Sequence, residues 1–353
     1  MKQNLTWILL VLLLLATASL SALRASYLAP LKSLSAPQLF VIESGSSLGT
    51  IARELKAQNI VSNIRLLKLA VRLLGTADAI KAGEYRLEPG LSMADLVALL
   101  VSGEVVQYRI TFIEGWTLSQ ALAVMTGMDA LEHTLADTNA AQLASLLSLD
   151  LDNPEGMLHP DTYFFTRGTS DLDILRRARD RQQQILDELW QTQASSLPYK
   201  SATEALIMAS IIEKEAGVSS EKGHIAGVFV RRLEKNMRLQ SDPTVIYGLG
   251  VGHTGKLTRA DLNTMTPYNT YRINGLPPTP IALPGTDSIK ASLNPLPSDY
   301  LYFVATGDGR HKFSATLEEH NVAVNQYRRM QQENQQHDNK PISGQNLQCG
   351  NDE

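Results

Sequence analysis

The stretch Thr203–Val218, TEALIMASIIEKEAGV, contains no proline, and its single glycine stands at position 217. It reads as one unbroken helix with Gly217 as its stop. From Ala205 to Ile212 every residue except Ser210 is apolar, so this helix is expected to be buried on most of its faces. Two carboxylates, Glu213 and Glu215, then arrive at its C-terminal end. Burial and the negative end of the helix dipole both oppose ionisation of a carboxyl group placed there. A carboxylic acid held protonated near neutral pH is what general-acid cleavage of a glycosidic bond requires. Glu213 shares a face with the small residues Ala209, Ser210 and Ala216. Glu215 lies about 200° round the helix, over Met208, Ile211 and Ile212. Small neighbours suit a cleft floor, so periodicity leans toward Glu213 as the acid. The structural alternative is that both glutamates pair with Lys214, Arg231 or Arg232.

Downstream, RLQSDPTVIYGLG (238–250) places Asp242 as a helix N-cap and Pro243 at the first helical position. Tyr268-Asn269-Thr270-Tyr271 is followed by Asn274-Gly275-Leu276-Pro277-Pro278, a loop cluster of aromatic and polar groups. Aromatic faces stack on sugar rings while Asn and Thr bond their hydroxyls, which suits a saccharide groove. A rigid set of turns is the plain alternative. The run Gly250–Lys256, GVGHTGK, has phosphate-loop spacing, but Leu257 stands where Mg²⁺ coordination needs Ser or Thr. Metal-protease spacing and the serine nucleophile elbow are both missing from the sequence. The single cysteine, Cys349, permits neither an internal disulfide nor a thiolate cluster. A net charge of −4 argues against a broad nucleic-acid surface. No metal and no cofactor is expected.

Upstream, the uncharged run Trp7–Leu23, WILLVLLLLATASLSAL, sits within a stretch from Leu5 to Tyr27. A bilayer core of about 30 Å needs about 20 helical residues, so residues 1–27 are expected to form a transmembrane anchor. A cleaved secretory signal is the alternative, with Ala16-Thr17-Ala18 near its end. Tyr27–Pro37 reads as a linker. Three later segments share a short strand, a glutamate, a glycine and a helix: FVIESGSSLGTIARELKA from Phe40, YRLEPGLSMADLVALLVSG from Tyr85 and ITFIEGWTLSQALAVM from Ile110. Ser92 with Asp95 and Thr117 with Gln120 form capping pairs, and a further helix is expected over Asn63–Leu74. Residues 38–105 are thus a small α+β unit, strand-helix-helix-strand in outline, similar to the LysM module; a generic spacer is the alternative. Ser170–Ser196 reads as one long helix. The segment 331–353 is too polar to offset its ordering entropy and is expected to be disordered. The whole is α+β, with 106–330 as the catalytic domain.

Four runs carry a closer resemblance: ASIIEKEAG (209–217), RLQSDPTVIYGLG (238–250), YNTYRINGLPPTPIALPG (268–285) and YLYFVATGDGRHKFSATLEEHN (300–321), with EGMLHPDTYFF (155–165) upstream. Together they resemble the bacterial endolytic murein transglycosylases, the YceG-like family of membrane-bound lytic enzymes. The resemblance spans Leu5 to Met330. Leu283 departs from it, standing where such sequences carry a smaller or more polar residue. What it implies is a single-pass protein of the inner membrane whose C-terminal domain lies in the periplasm. Its substrate is the glycan strand of nascent peptidoglycan, cut between MurNAc and GlcNAc to leave 1,6-anhydroMurNAc ends, and cell-wall synthases are its implied partners. The first glutamate of I-I-E-K-E, Glu213, is the implied catalytic acid, with Glu155, Asp242, Asn269 and Tyr271 lining the site. A muramidase that uses water on the same bond, or a glycan-binding anchor without catalysis, are the competing readings.

Overall fold

The computed structural model describes residues 2–32, 34–250 and 256–338. In chain order the elements are α1 (Lys2–Leu28), β1 (Gln38–Ile42), α2 (Leu48–Ala57), α3 (Ile64–Leu73), β2 (Gly83–Leu87), α4 (Met93–Ser102), β3 (Tyr108–Thr111) and α5 (Leu118–Thr126). There follow β4 (Leu131–Glu132), α6 (Ala140–Leu146), β5 (Thr162–Phe165), β6 (Thr169–Ser170), α7 (Asp171–Trp190), α8 (Ala202–Glu215) and α9 (Lys222–Glu234). The last are α10 (Asp242–Leu249), α11 (Arg259–Asn263), α12 (Thr286–Leu293), β7 (Tyr302–Ala305), β8 (His311–Ser314) and α13 (Leu317–Asp338). The chain is a mixed helix–strand protein with an N-terminal apolar helix. It forms two compact units: the first is Met1–Ile110 with Met125–Thr134 and Tyr163–Ile174, the second Thr111–Val124, Leu135–Thr162 and Leu175–Glu353.

In the first unit, β1 and β2 pair antiparallel with Phe40 opposite Tyr85, and α2 and α3 connect them. Alternation along these strands buries Phe40, Ile42, Tyr85 and Leu87 against Leu55, Leu67 and Leu96 of the helices. The capping pair expected at Ser92 and Asp95 is present, and two further caps accompany it. Ser47 and Asn63 accept backbone N–H groups at the starts of α2 and α3, and Ser92 with Asp95 forms a complete capping box on α4. Gly45 and Gly90 sit at φ +78° and +90°, turns that an L side chain rarely adopts. The span Leu5–Leu28 is long and apolar enough to cross a membrane, with a mean hydropathy of 2.3. The segment read as a linker is held to the first unit in its middle. Leu31 donates its N–H to the Leu91 carbonyl at 2.8 Å, Pro30 bridges to Ser92, and Leu34 is buried.

In the second unit α8 is the axis, as its composition requires. Leu206, Met208, Ala209, Ile211 and Ile212 are each fully buried, among Leu186 of α7, Phe229 of α9 and Ile289 of α12. Ser201 caps it by accepting the Glu204 N–H. Gly217 does not end it by a left-handed turn: Ala216 already leaves the helix in extended geometry. A Cβ on Gly217 would stand 2.2 Å from the Gly309 carbonyl oxygen, so the glycine is there for close approach of two backbones. The long helix α7 stops at Trp190, short of Ser196, because the chain turns there and Ala194 donates to the Leu293 carbonyl. β7 and β8 form an antiparallel hairpin. α13 continues to Asp338, so the first residues of the segment expected to be disordered are helical; 339–353, with Cys349, lie outside the described residues, as do 251–255 of the phosphate-loop-like run.

Candidate active site

The small-residue face of α8 is covered by protein. Ser210 is fully buried; its hydroxyl donates to the Ile207 carbonyl and accepts the Ile281 N–H at 3.0 Å. One turn on, the Glu213 carboxylate accepts the Gly285 N–H at 3.0 Å and the Ser288 hydroxyl at 2.6 Å. Both donors belong to the start of α12, whose positive dipole end therefore faces the carboxylate. Lys222 completes the set with its Nζ 3.1 Å from both Glu213 oxygens. The two side chains are 8% and 7% exposed, which makes this a buried ion pair. Glu114, at 3.7 Å from the same ammonium, is the half-exposed third member. Ala209 and Ser210 are fully buried beside Ile281, so this part of the face read as a cleft floor meets another stretch of the same chain. Lys214, Arg231 and Arg232, the partners considered from sequence, are engaged elsewhere: Lys214 donates to the Gly115 carbonyl, Arg231 to Tyr300 and Ser298, and Arg232 to Leu239 and Leu301.

Glu215 points to the other side. Together with Asp242 and Tyr271 it lines a cavity of about 600 Å³, walled also by Arg232, Gln240 and Tyr302. Cavities of this size hold small ligands or a few sugar rings. The Ser241 hydroxyl donates to Glu215 at 2.5 Å, and the Tyr271 hydroxyl donates to Asp242 at 2.6 Å. Burial pushes the Glu215 carboxyl up to about 7, and the charge on Asp242 pushes the same way; the Ser241 bond and the Arg232 guanidinium oppose it. Burial raises the Tyr271 phenol as well, with Asp242 adding to it, so Tyr271 stays a hydrogen-bond donor. Ser241, not Asp242, is the N-cap residue of α10, and Asp242 stands one position inside the helix; the Ser241 hydroxyl donates to Glu215 and makes no capping bond.

The remaining expected site residues are interior ties. Asn269 is fully buried, and its amide donates to the carbonyls of Leu262 and Thr264, holding the polypeptide before the Tyr-Asn-Thr-Tyr turn. Glu155 is also buried; it accepts the Leu118 N–H at 2.8 Å and the Tyr247 hydroxyl at 3.2 Å. Neither residue lines the cavity beside Glu215. Burial lifts the Glu155 carboxyl to about 7, against the bonds from Leu118 and Tyr247. Its unfolded value is near the model-peptide 4.3, so the native state holds the extra proton between those limits. Stability therefore falls as pH rises from about 4.5 to about 7. Glu155→Gln removes this titration; its amide oxygen still accepts the Leu118 N–H, and its NH2 donates to the Tyr247 oxygen, which reverses that bond. Its unfolding free energy should lose less over that range than that of the unaltered protein, by roughly 2–3 kcal/mol. Urea titrations at both ends of the range measure the difference.

Sequence reasoning missed Lys222, Ser288, Gly285 and Ser241. Lys222 follows Glu213 by nine residues, across a helix break, so no helical spacing announces the pair. Ser241 alone carried a signal, as a hydroxyl beside the Asp-Pro helix start.

Known proteins share this chain's sequence across both units. An endolytic murein transglycosylase of Bacillus subtilis (strain 168) is 33% identical over 305 residues, which are 81% of this chain and 83% of the relative. An endolytic murein transglycosylase of Streptococcus pneumoniae serotype 2 is 29% identical over 318 residues, covering 80% of this chain and 57% of that longer protein. A crystal structure of a yceG-like protein from Listeria monocytogenes is 35% identical, with a TM-score of 0.50, over 81% of this chain and 98% of that one. The YceG-like family pattern itself matches residues 40–326, all of the chain between the linker and the last helix turns. By that match and by the identity to the Bacillus relative, the chain belongs to the YceG-like family.

Proposed function

We propose that the chain is an endolytic peptidoglycan lytic transglycosylase and that Glu215, rather than Glu213, is its acid. One observation carries the second half: Glu215 is a carboxyl pushed up to about 7 that opens on a cavity, whereas Glu213 is tied in a buried ion pair. A protonated carboxyl that faces a cavity can donate to a substrate there, whereas Glu213 faces Lys222 and the start of α12. In the reaction Glu215 gives its proton to the glycosidic oxygen of the departing GlcNAc as the C1–O bond breaks, and positive charge develops at C1 of MurNAc. The carboxylate then takes the proton of the MurNAc 6-hydroxyl while that oxygen bonds to C1, closing the 1,6-anhydro ring and restoring the acid. One carboxyl serves both steps, in place of the usual glycosidase pair. Asp242 and Tyr271 line the sugar site, and Asp242 helps keep Glu215 protonated. Glu155 and Asn269 act at one remove, by holding the loops around it.

In this reading α1 anchors the protein in the inner membrane, and the rest lies on the periplasmic side, where peptidoglycan is. The span of 24 residues gives about 36 Å of helix, enough for a core of about 30 Å. The β1-α2-α3-β2 order supports a LysM-like glycan-holding role for the first unit. A lytic enzyme held at the membrane meets strands as synthases extrude them, and cutting there ends their elongation.

Asp242 gives a second reading some footing, since a carboxylate close enough to raise Glu215 is a candidate base for water. Mass spectrometry of glycan fragments from digested peptidoglycan separates the two. Internal fragments ending in 1,6-anhydroMurNAc are expected; hydrated reducing ends make the protein a muramidase, and no fragments at all make it a binding anchor. The acid must be protonated to act, so kcat/KM is expected to be level below pH 7 and to fall by about tenfold per pH unit above it. A profile that rises through pH 7 overturns the assignment.

A further inference from the structure

The outer face of α3 is largely exposed, with Arg65 and Leu69 beside the end of α1. At about 100° per residue, Leu66, Leu67, Ala70 and Val71 point inward, while Arg65, Lys68, Leu69, Arg72 and Leu73 share the opposite face. Leu69, Leu73 and the adjoining Leu74 are 45%, 77% and 56% exposed. Three cations lie along one flank of these leucines, and none of Arg65, Lys68 or Arg72 has a carboxylate partner among the described residues. The place of this face in the fold says what it meets. Leu23 and Ser26 of α1 and Arg65 and Leu69 of α3 line one shared cavity of about 340 Å³. Helix α3 therefore starts against the last turns of the apolar span, within about 10 Å of its end at Leu28. α1 is not a loose tether: the Leu31–Leu91 hydrogen bond and the packing of Tyr27 and Leu31 fix its end to the first unit.

We propose that α3 is an interfacial helix that docks the first unit flat on the bilayer that α1 enters, leucines in the acyl boundary and cations against anionic phospholipid headgroups. The proposal rests on α1 spanning the membrane. The arrangement fits no other occupant as well. Leucines flanked by Lys and Arg are the composition of helices that lie in the membrane interface, and the span fixes this face at that depth. Docking restricts the first unit to one orientation over the membrane, so that the glycan it holds is presented at a set height above the lipid.

The test uses the full chain in a Cys349→Ser background, reconstituted in mixed phosphatidylcholine–phosphatidylglycerol vesicles. Single cysteines carry a polarity-sensitive fluorophore at Leu69, Leu73, the exposed control Glu88 and, within the span, Leu14. Lipids spin-labelled near the headgroup or deep in the chain act as quenchers. Strong quenching of 69 and 73 by the shallow label, several-fold above that at 88, is expected. Reversing the charges (Arg65→Glu, Lys68→Glu, Arg72→Glu) should lower the ratio of docked to undocked protein by roughly fivefold for each cation lost. If the label at 14 is quenched by the deep lipid while 69 and 73 behave like 88, the anchor stands and docking is refuted. If the label at 14 is not quenched, the anchor reading itself fails. Undiminished quenching in the charge-reversed protein refutes the headgroup contact.

Discussion

Glu215→Gln is expected to lower kcat on intact peptidoglycan by about three orders of magnitude, within the usual range for removal of a general acid. KM should change little, because an amide of the same shape still accepts the Ser241 hydroxyl and leaves Asp242 and Tyr271 in place. In the proposed reaction the carboxyl acts in both proton transfers, and glutamine can make neither, so the effect is large. Glu213→Gln is the matched control two residues away on the same helix. It should keep kcat within about tenfold, since its carboxylate takes donors from Gly285, Ser288 and Lys222 and faces the chain rather than the cavity. Product release followed by mass spectrometry on both variants, each first shown to unfold cooperatively, decides the question. Loss of turnover in Glu213→Gln with survival in Glu215→Gln would return the acid to the first glutamate.

The second large effect is on stability. Lys222→Ala should destabilise the second unit by about 3–5 kcal/mol, because it leaves the Glu213 carboxylate buried without its counter-charge. Both side chains are less than a tenth exposed, so water does little to screen the change. The donors from α12 remain and limit the loss, but two neutral donors do not replace an ammonium. Replacing both partners, Glu213→Leu with Lys222→Met, should recover most of that loss, since apolar residues of similar volume are often no worse than a buried pair. Denaturant midpoints of the single and double variants form the cycle that checks this. A single variant within about 1 kcal/mol of the unaltered protein would show that the pair is not buried as described.

Much of the local structure was legible because it is set by neighbours in sequence. The capping pair of Ser92 with Asp95, the strand-helix-helix-strand order of 38–105, the apolar span and the buried helix through Ile212 each follow from spacing and residue type. Residue type also brought the two candidate acids to one helix end. Helical periodicity then gave the angle between Glu213 and Glu215, but not what lies on either side. Small residues beside Glu213 signal close approach, and a sugar ring or a second stretch of chain would require them equally.

What the sequence determined by itself is therefore the set of elements, the core helix and the pair of carboxyls at its end. Only the tertiary structure gave each its surroundings. It brought Lys222 and the start of α12 to Glu213, and Ser241, Asp242 and Tyr271 to Glu215. The physical reason is that a carboxyl's proton affinity depends on the charges and donors within a few ångströms, and here those come from residues 9 to 75 positions away in the chain. Local spacing can place a titratable group; only folding chooses its company.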